Sequence, residues 1–143
     1  MGEPLTKKER VRKYGEVFTP PEVVSHMCDL LEAESPCAFG IEKTFLEPSC
    51  GDGAFILEIL RRKFTGCRTH DDYRAALESV YGFEIQADNV AACIENVTAL
   101  CREYFKPNRD DLQLISDHII MCDSLKVMKM LHEAEKINEY KIL

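Results

Sequence analysis

Leu46-Glu47-Pro48-Ser49-Cys50-Gly51-Asp52-Gly53-Ala54-Phe55 is the stretch on which the fold turns. Before it, Thr44-Phe45-Leu46 reads as a short buried strand. After it, Ala54 to Leu60 opens an apolar helix that carries on to about Phe64. Glycine at 51 and 53 lets the backbone turn tightly between the two and approach a ligand, with helix N–H groups facing the gap. A surface turn would use the same glycines, so the neighbours decide. Ile56 stands where a pyrophosphate-binding Rossmann loop places its third glycine. Glu47 and Asp52 flank the turn; they would repel a pyrophosphate and suit a ligand carrying an ammonium group.

Working outward, strands and helices alternate. Toward the C-terminus, the sequence predicts a short helix over Asp71 to Glu78 and a strand over Ser79 to Glu84. A helix from Asp88 to about Tyr104 follows, broken at Pro107-Asn108-Arg109-Asp110. His118 to Met121 reads as a third strand, Leu125 to Glu135 as a helix, and Tyr140-Lys141-Ile142-Leu143 as the start of a fourth strand. Toward the N-terminus, Val23 to Leu31 is amphipathic and stops near Ser35-Pro36. Thr19 is placed to cap that helix, with Pro20 at its first position and Glu22 completing a capping box. The alternation implies an α/β fold, a parallel sheet with helices on both faces. Ligands of such sheets sit at the carboxyl ends of the strands. The run from Glu47 to Gly53, Glu84 and Asp123 all fall at expected strand ends, so they should share one rim.

Glu84 ends the second strand, where a carboxylate can accept hydrogen bonds from both hydroxyls of a ribose. The plainer reading is a surface acid that opens a helix. Tyr81-Gly82-Phe83 before it is strand-like and of buried type, which favours the ligand role. Asp123 ends the third strand and can accept from an exocyclic amine; alone, it is equally a helix N-cap, as is Ser124.

The totals exclude several classes. The 143 residues carry a net charge of −7, with 45% hydrophobic and 30% charged residues, the profile of one ordinary globular domain. No apolar run is long enough to span a membrane, and Met1 to Lys13 lacks the apolar core of a signal peptide, so a cytoplasmic location and no membrane partner are expected. An acidic chain has little affinity of its own for a DNA backbone. The basic stretch Lys7, Lys8, Arg10, Arg12 and Lys13 could touch phosphate, but reads as part of a solvated, partly disordered tail over residues 1–14. Arg61-Arg62-Lys63 suits the negative end of a helix dipole. Seven cysteines with no CxxC pair argue against a zinc site or a disulfide framework. The four histidines are scattered, so no metal is expected.

At this point the residues resemble a family. Leu46 to Phe55 is similar to motif I of adenine-N6 DNA methyltransferases of restriction-modification systems, especially the modification subunits of Type I and Type IIG systems. Gly15-Glu16-Val17-Phe18-Thr19-Pro20 resembles their motif X, Tyr81-Gly82-Phe83-Glu84-Ile85 motif II, and Met121-Cys122-Asp123-Ser124-Leu125 motif III. The resemblance covers Gly15 to Leu143 and implies a Rossmann-like fold that binds S-adenosylmethionine. By it, Phe18, Thr19 and Pro20 close over the methionine part of the cofactor. Glu47, Pro48, Ser49, Cys50, Gly51, Asp52 and Gly53 line it, with Glu47 or Asp52 near the ammonium. Glu84 holds the ribose, Ile85 packs on the adenine face, and Asp123 with Ser124 meets its amine edge.

One departure matters. The family's catalytic Asn/Asp-Pro-Pro-Tyr/Phe run, which stacks on and polarises a flipped adenine, is missing. The expectation is a partial methyltransferase domain over residues 15–143, cut after about the fourth strand: an expressed fragment, a truncated gene product or one piece of a split enzyme. Alone it should be inactive, meeting DNA only within a complete enzyme. Its partners would be a C-terminal half, a specificity subunit, or another copy joined through an exposed sheet edge. The competing readings are a non-catalytic module that binds S-adenosylmethionine or a protein, and a fragment of an RNA or protein-glutamine methyltransferase.

Overall fold

The computed structural model describes residues 3–14, 16 and 18–142. In chain order the elements are α1 (Lys7–Tyr14), α2 (Pro21–Glu34), β1 (Phe45–Glu47), α3 (Ala54–Phe64), α4 (His70–Glu78), β2 (Val80–Glu84), α5 (Ala87–Tyr104), α6 (Arg109–His118), β3 (Ile119–Met121) and α7 (Ser124–Ile142). The three strands form one parallel sheet in the order β1-β2-β3. Phe45 pairs with Val80 and Gly82 with Ile119, so successive side chains alternate in step across all three strands.

One face of the sheet is the core. Val80 and Ile119 lie beneath Ile56 and Leu60 of α3, Leu77 of α4, Val97 of α5 and Ile115 of α6. Gly82 is at the centre of this face because nothing larger fits: a Cβ there would stand 2.5 Å from Ile56 Cδ1 and 3.0 Å from Cys50 Sγ. The cysteines behave as small hydrophobes, with Cys28, Cys50, Cys67, Cys93 and Cys101 all buried and unpaired. At the far end of α3, Phe64 meets Tyr73, Tyr104 and Phe105 edge-on. Lys63 is buried beside it, and its ammonium donates to the carbonyls of Gly40, Ile41 and Lys43 at 2.7, 3.3 and 2.6 Å. Lys63 thus ties down the loop that enters β1. Arg62, which with Arg61 and Lys63 lies in the last turn of α3 as expected, also reaches Asp29 and Glu32 of α2.

Six expectations change. The helices α3 to α6 gather on one sheet face rather than two; the other face, Leu46, Tyr81, Phe83 and Ile120, stays partly exposed, with His118 stacked on Tyr81. The next helix, α7, does not cover it, and its Leu125, Met130 and Leu131 are exposed as well. Residues 140–142 are not a fourth strand but the end of α7, because Glu133-Ala134-Glu135-Lys136 before them is a run of helix formers. Leu143 lies outside the described residues. The stretch β1 is only half-buried, as an edge strand of three residues.

The α2 capping box does not form. Pro20, preceding Pro21, is held out of helical conformation at ψ 147°, so Pro21 starts the helix and Thr19 makes no capping bond. The supposed break at Pro107 is the entry to α6, which carries its own box: Asn108 Oδ1 accepts from Asp111 N, and the Asp111 carboxylate accepts from Asn108 N. Residues Lys7 to Tyr14 of the expected tail are helical, and Arg10 binds Asp88 of α5 through two nitrogens and also pairs with Glu16. Among the described residues no helix is long and apolar enough to cross a membrane, and no group of acids, histidines and cysteines is placed to hold a metal ion.

Candidate functional site

The parallel register sets the site. With β1, β2 and β3 running the same way, their carboxyl ends deliver Glu47, Glu84 and the Cys122-Asp123 pair to one rim. The turn after β1 is drawn onto β2: Cys50 N donates to Phe83 O at 2.9 Å, and Gly51 N donates to Glu84 Oε1 at 3.2 Å. The β3 exit is drawn to the same residue, Cys122 N donating to Glu84 O at 3.0 Å. Gln86 N donates to Glu84 Oε2 at 2.7 Å. Both carboxylate oxygens of the buried Glu84 are therefore fixed by backbone N–H groups, and each keeps a lone pair for a ligand hydroxyl.

Gly51 and Gly53 are the two positive-φ residues among those described, at 56° and 105°. Gly51 turns the chain under the ring of Phe18, whose Cε1 would be 3.3 Å from a Cβ at 51. Gly53 sits at the α3 N-terminus against Cys93, whose Sγ would be 2.9 Å from a Cβ. Glu47 is half-buried; burial raises its carboxyl above the usual range, outweighing the bond it accepts from Ser49 N. Cys50 is held as a thiol by its hydrogen bond with Cys93 and by burial. Asp123 accepts from Leu125 N at 3.1 Å and from Lys126 N at 3.4 Å, so it caps α7 whatever else it does.

A cleft of about 530 Å³ opens on this rim, lined by Pro48, Ser49, Glu84, Ile85, Asp123 and Ser124 among others. Six of the residues expected at the site thus meet in one place. Phe18, Thr19, Pro20 and Asp52 do not join them there. They line a second hollow of about 430 Å³ with Glu58, Arg61 and Asn96, and Asn96 Nδ2 donates to Asp52 O. Phe18 links the two, since its ring lies on Gly51. Gly15 and Val17 of the same segment lie outside the described residues. Sequence reasoning missed Lys13, Cys122, Leu125 and Met128, which also line the cleft. The apolar pair Leu125 and Met128, three apart at a helix start beside Asp123, was the available signal; for Lys13 the signal was a basic stretch read as tail.

No curated protein and no solved structure matches the chain. The sequence model of the N-6 DNA methylase family matches residues 5–111, from just before α1 to the first turn of α6. That span contains the glycine turn, Glu84 and the helix N-terminus that follows it, and on it the chain belongs to the N-6 DNA methylase family.

Proposed function

We propose that the strand-end cleft binds S-adenosylmethionine, and that the chain is the cofactor-binding part of an adenine-N6 DNA methyltransferase of restriction-modification type. The observation that carries this reading is Glu84: a buried carboxylate, oriented by Gly51 N and Gln86 N, on the wall of an open cleft. The donor set fits the group. Glu84 accepts the two ribose hydroxyls, Ile85 offers an apolar surface to the adenine, and Asp123 accepts from its amine. Gly51, with no side chain, leaves a cradle between the turn and the Phe18 ring that a Cβ would fill. Glu47 takes the ammonium of the methionine part, or that part runs past Gly51 and the Phe18 ring toward the second hollow, where Asp52, Thr19 and Pro20 would meet it. When bound, S-adenosylmethionine supplies an activated methyl group on its sulfonium.

Residues 1–143 hold no Asn/Asp-Pro-Pro-aromatic run, and in this reading the pocket that stacks and polarises a flipped adenine is supplied by further protein. The free edge of β1 and the partly exposed sheet face are where further protein, or a second copy, would join. Calorimetry with S-adenosylhomocysteine tests the cofactor reading. The wild type should bind, and Asp123→Asn, which keeps a capping side chain, should bind several-fold more weakly. Glu84→Gln should lose at least about tenfold, the worth of a hydrogen bond to a charged group. Equal binding by all three folded proteins, or none by the wild type, would overturn it.

A further inference from the structure

We infer that α1 is a DNA-backbone contact, presenting Lys8 and Arg12 to phosphates beside the cofactor cleft. This rests on the proposed function and extends it to the partner that brings the target base. The chain is acidic overall, yet the eight residues of α1 hold five of its 18 lysines and arginines against the single acid Glu9. Two of the five are turned to the body of the protein. Arg10 is clamped on Asp88 and Glu16, and Lys13 lines the cleft that holds Glu84 and Asp123. At 100° per residue, Arg10 and Lys13 share one side of the helix, and Lys8 and Arg12 fall on roughly the opposite side. Both of the latter are exposed. Being four apart, they stand about 6 Å from one another along the axis, on the same face of the helix, so both can meet one stretch of phosphate backbone.

The clamp gives this patch its meaning. A basic tail would bind any polyanion loosely. A basic helix fixed to the first turn of α5 by a bidentate ion pair has its outward charges at a set distance from the rim. The same helix bears exposed Val11, with Leu5 exposed just before it, so an anionic membrane surface is the competing occupant. DNA is favoured because the cleft beside α1 belongs to a DNA methylase and because no extended apolar stripe accompanies the charges.

The test is fluorescence anisotropy of a labelled 20-base-pair duplex with the full chain, wild type against Lys8→Gln/Arg12→Gln, across a salt series. The wild type should bind at low salt, with log affinity falling linearly in log salt. The double variant should bind at least about tenfold more weakly at the lowest salt and lose close to two units of slope, about 0.9 for each phosphate contact removed. Thermal melting controls for folding, which these exposed positions should leave unchanged. An equal affinity and slope for both proteins, no duplex binding by the wild type at low salt, or dependence on Lys8 and Arg12 only with anionic phospholipid vesicles, would each overturn the inference. S-adenosylhomocysteine binding, measured on the same samples, separates the two claims. Its loss in the wild type refutes the cofactor reading, while the duplex comparison still judges α1.

Discussion

Gly82→Ala is the sharpest probe of how the site is built. The position lies at the middle of the central strand, pairing with Glu47 on one side and Ile119 on the other. Its backbone is not in the left-handed region, so alanine is conformationally allowed and the whole cost is steric. A methyl there would meet Ile56 Cδ1 at 2.5 Å, Cys50 Sγ at 3.0 Å and Cys50 Cβ at 3.2 Å, in a core where Ile56 is 1% exposed. Overpacking of this kind costs about 1–3 kcal/mol. Removing glycine's freedom from the unfolded chain returns about 0.4–1 kcal/mol. The net expectation is a loss of about 1–2 kcal/mol. Ile56→Val removes the methyl that clashes first and by itself costs about 0.5–1.5 kcal/mol. In Gly82→Ala/Ile56→Val the two changes share one space, so the double variant should be more stable than the sum by about 1 kcal/mol. Cys50 keeps the recovery partial. Its displacement should also carry Gly51 away from Glu84, weakening S-adenosylhomocysteine binding beyond the effect on stability. Urea denaturation followed by circular dichroism reads all four corners of the cycle. Gly82→Ala as stable as the wild type, or strictly additive losses, would refute the packing argument.

Three further outcomes are expected. Lys63→Met should strip three carbonyls of their donor, destabilise the fold by about 2 kcal/mol or more, and speed amide exchange in residues 37–43, read by hydrogen exchange; unchanged exchange there would contradict the role given to Lys63. Burial pushes the Cys67 and Cys101 thiols up to about 11 and about 12, whereas in the unfolded chain they ionise near their ordinary value. Above that value the folded form holds more protons than the unfolded form, so these thiols make stability fall as pH rises toward their folded values. Lys63, pushed down to about 8 by burial, opposes them over part of the same range, so the informative comparison is wild type against Cys101→Ala. The variant's urea midpoint should fall less steeply between about pH 8 and 11, and parallel slopes would count against the assignment. Finally, residues 1–143 alone should transfer no labelled methyl group from S-adenosylmethionine to adenine-containing duplex; robust transfer by a pure monomer would show that the base-handling residues lie within this chain.

Much of this was legible in the sequence because it depends on local order. A strand, two glycines and an apolar helix in succession leave little choice at residues 46–64, and an acid closing each later strand places Glu84 and Asp123 on the same rim. What stayed hidden depends on what an element meets. Pro107-Asn108 reads as a stop from one side and as an N-cap from the other, and the reciprocal box with Asp111 was the cue for α6. Thr19 looked like a cap until the second proline forced Pro20 out of the helix. Tyr140-Lys141-Ile142 has strand-like residues but continues the helix that the formers Glu133 to Lys136 carry toward it. The burial of β1 was overestimated because apolar residues say nothing about whether a second layer covers them. Lys63 and Arg62 looked alike at the end of a helix; only the packed loop at 37–43 distinguishes a buried structural ammonium from a surface ion pair. The basic N-terminus could not be placed without knowing that Arg10 finds Asp88, 78 residues away.

The most direct test of the cofactor site is an amide-resolved NMR titration of the nitrogen-labelled chain with S-adenosylhomocysteine. Gly51 N and Gln86 N both donate to Glu84, and Leu125 N reports on Asp123, so these three amides sense any ligand seated on the two carboxylates. Saturable shifts are expected at Gly51, Gln86 and Leu125, lost in Glu84→Gln while the rest of the spectrum keeps its dispersion. Saturation with no change at these amides, or shifts confined to residues away from the strand-end rim, would contradict it.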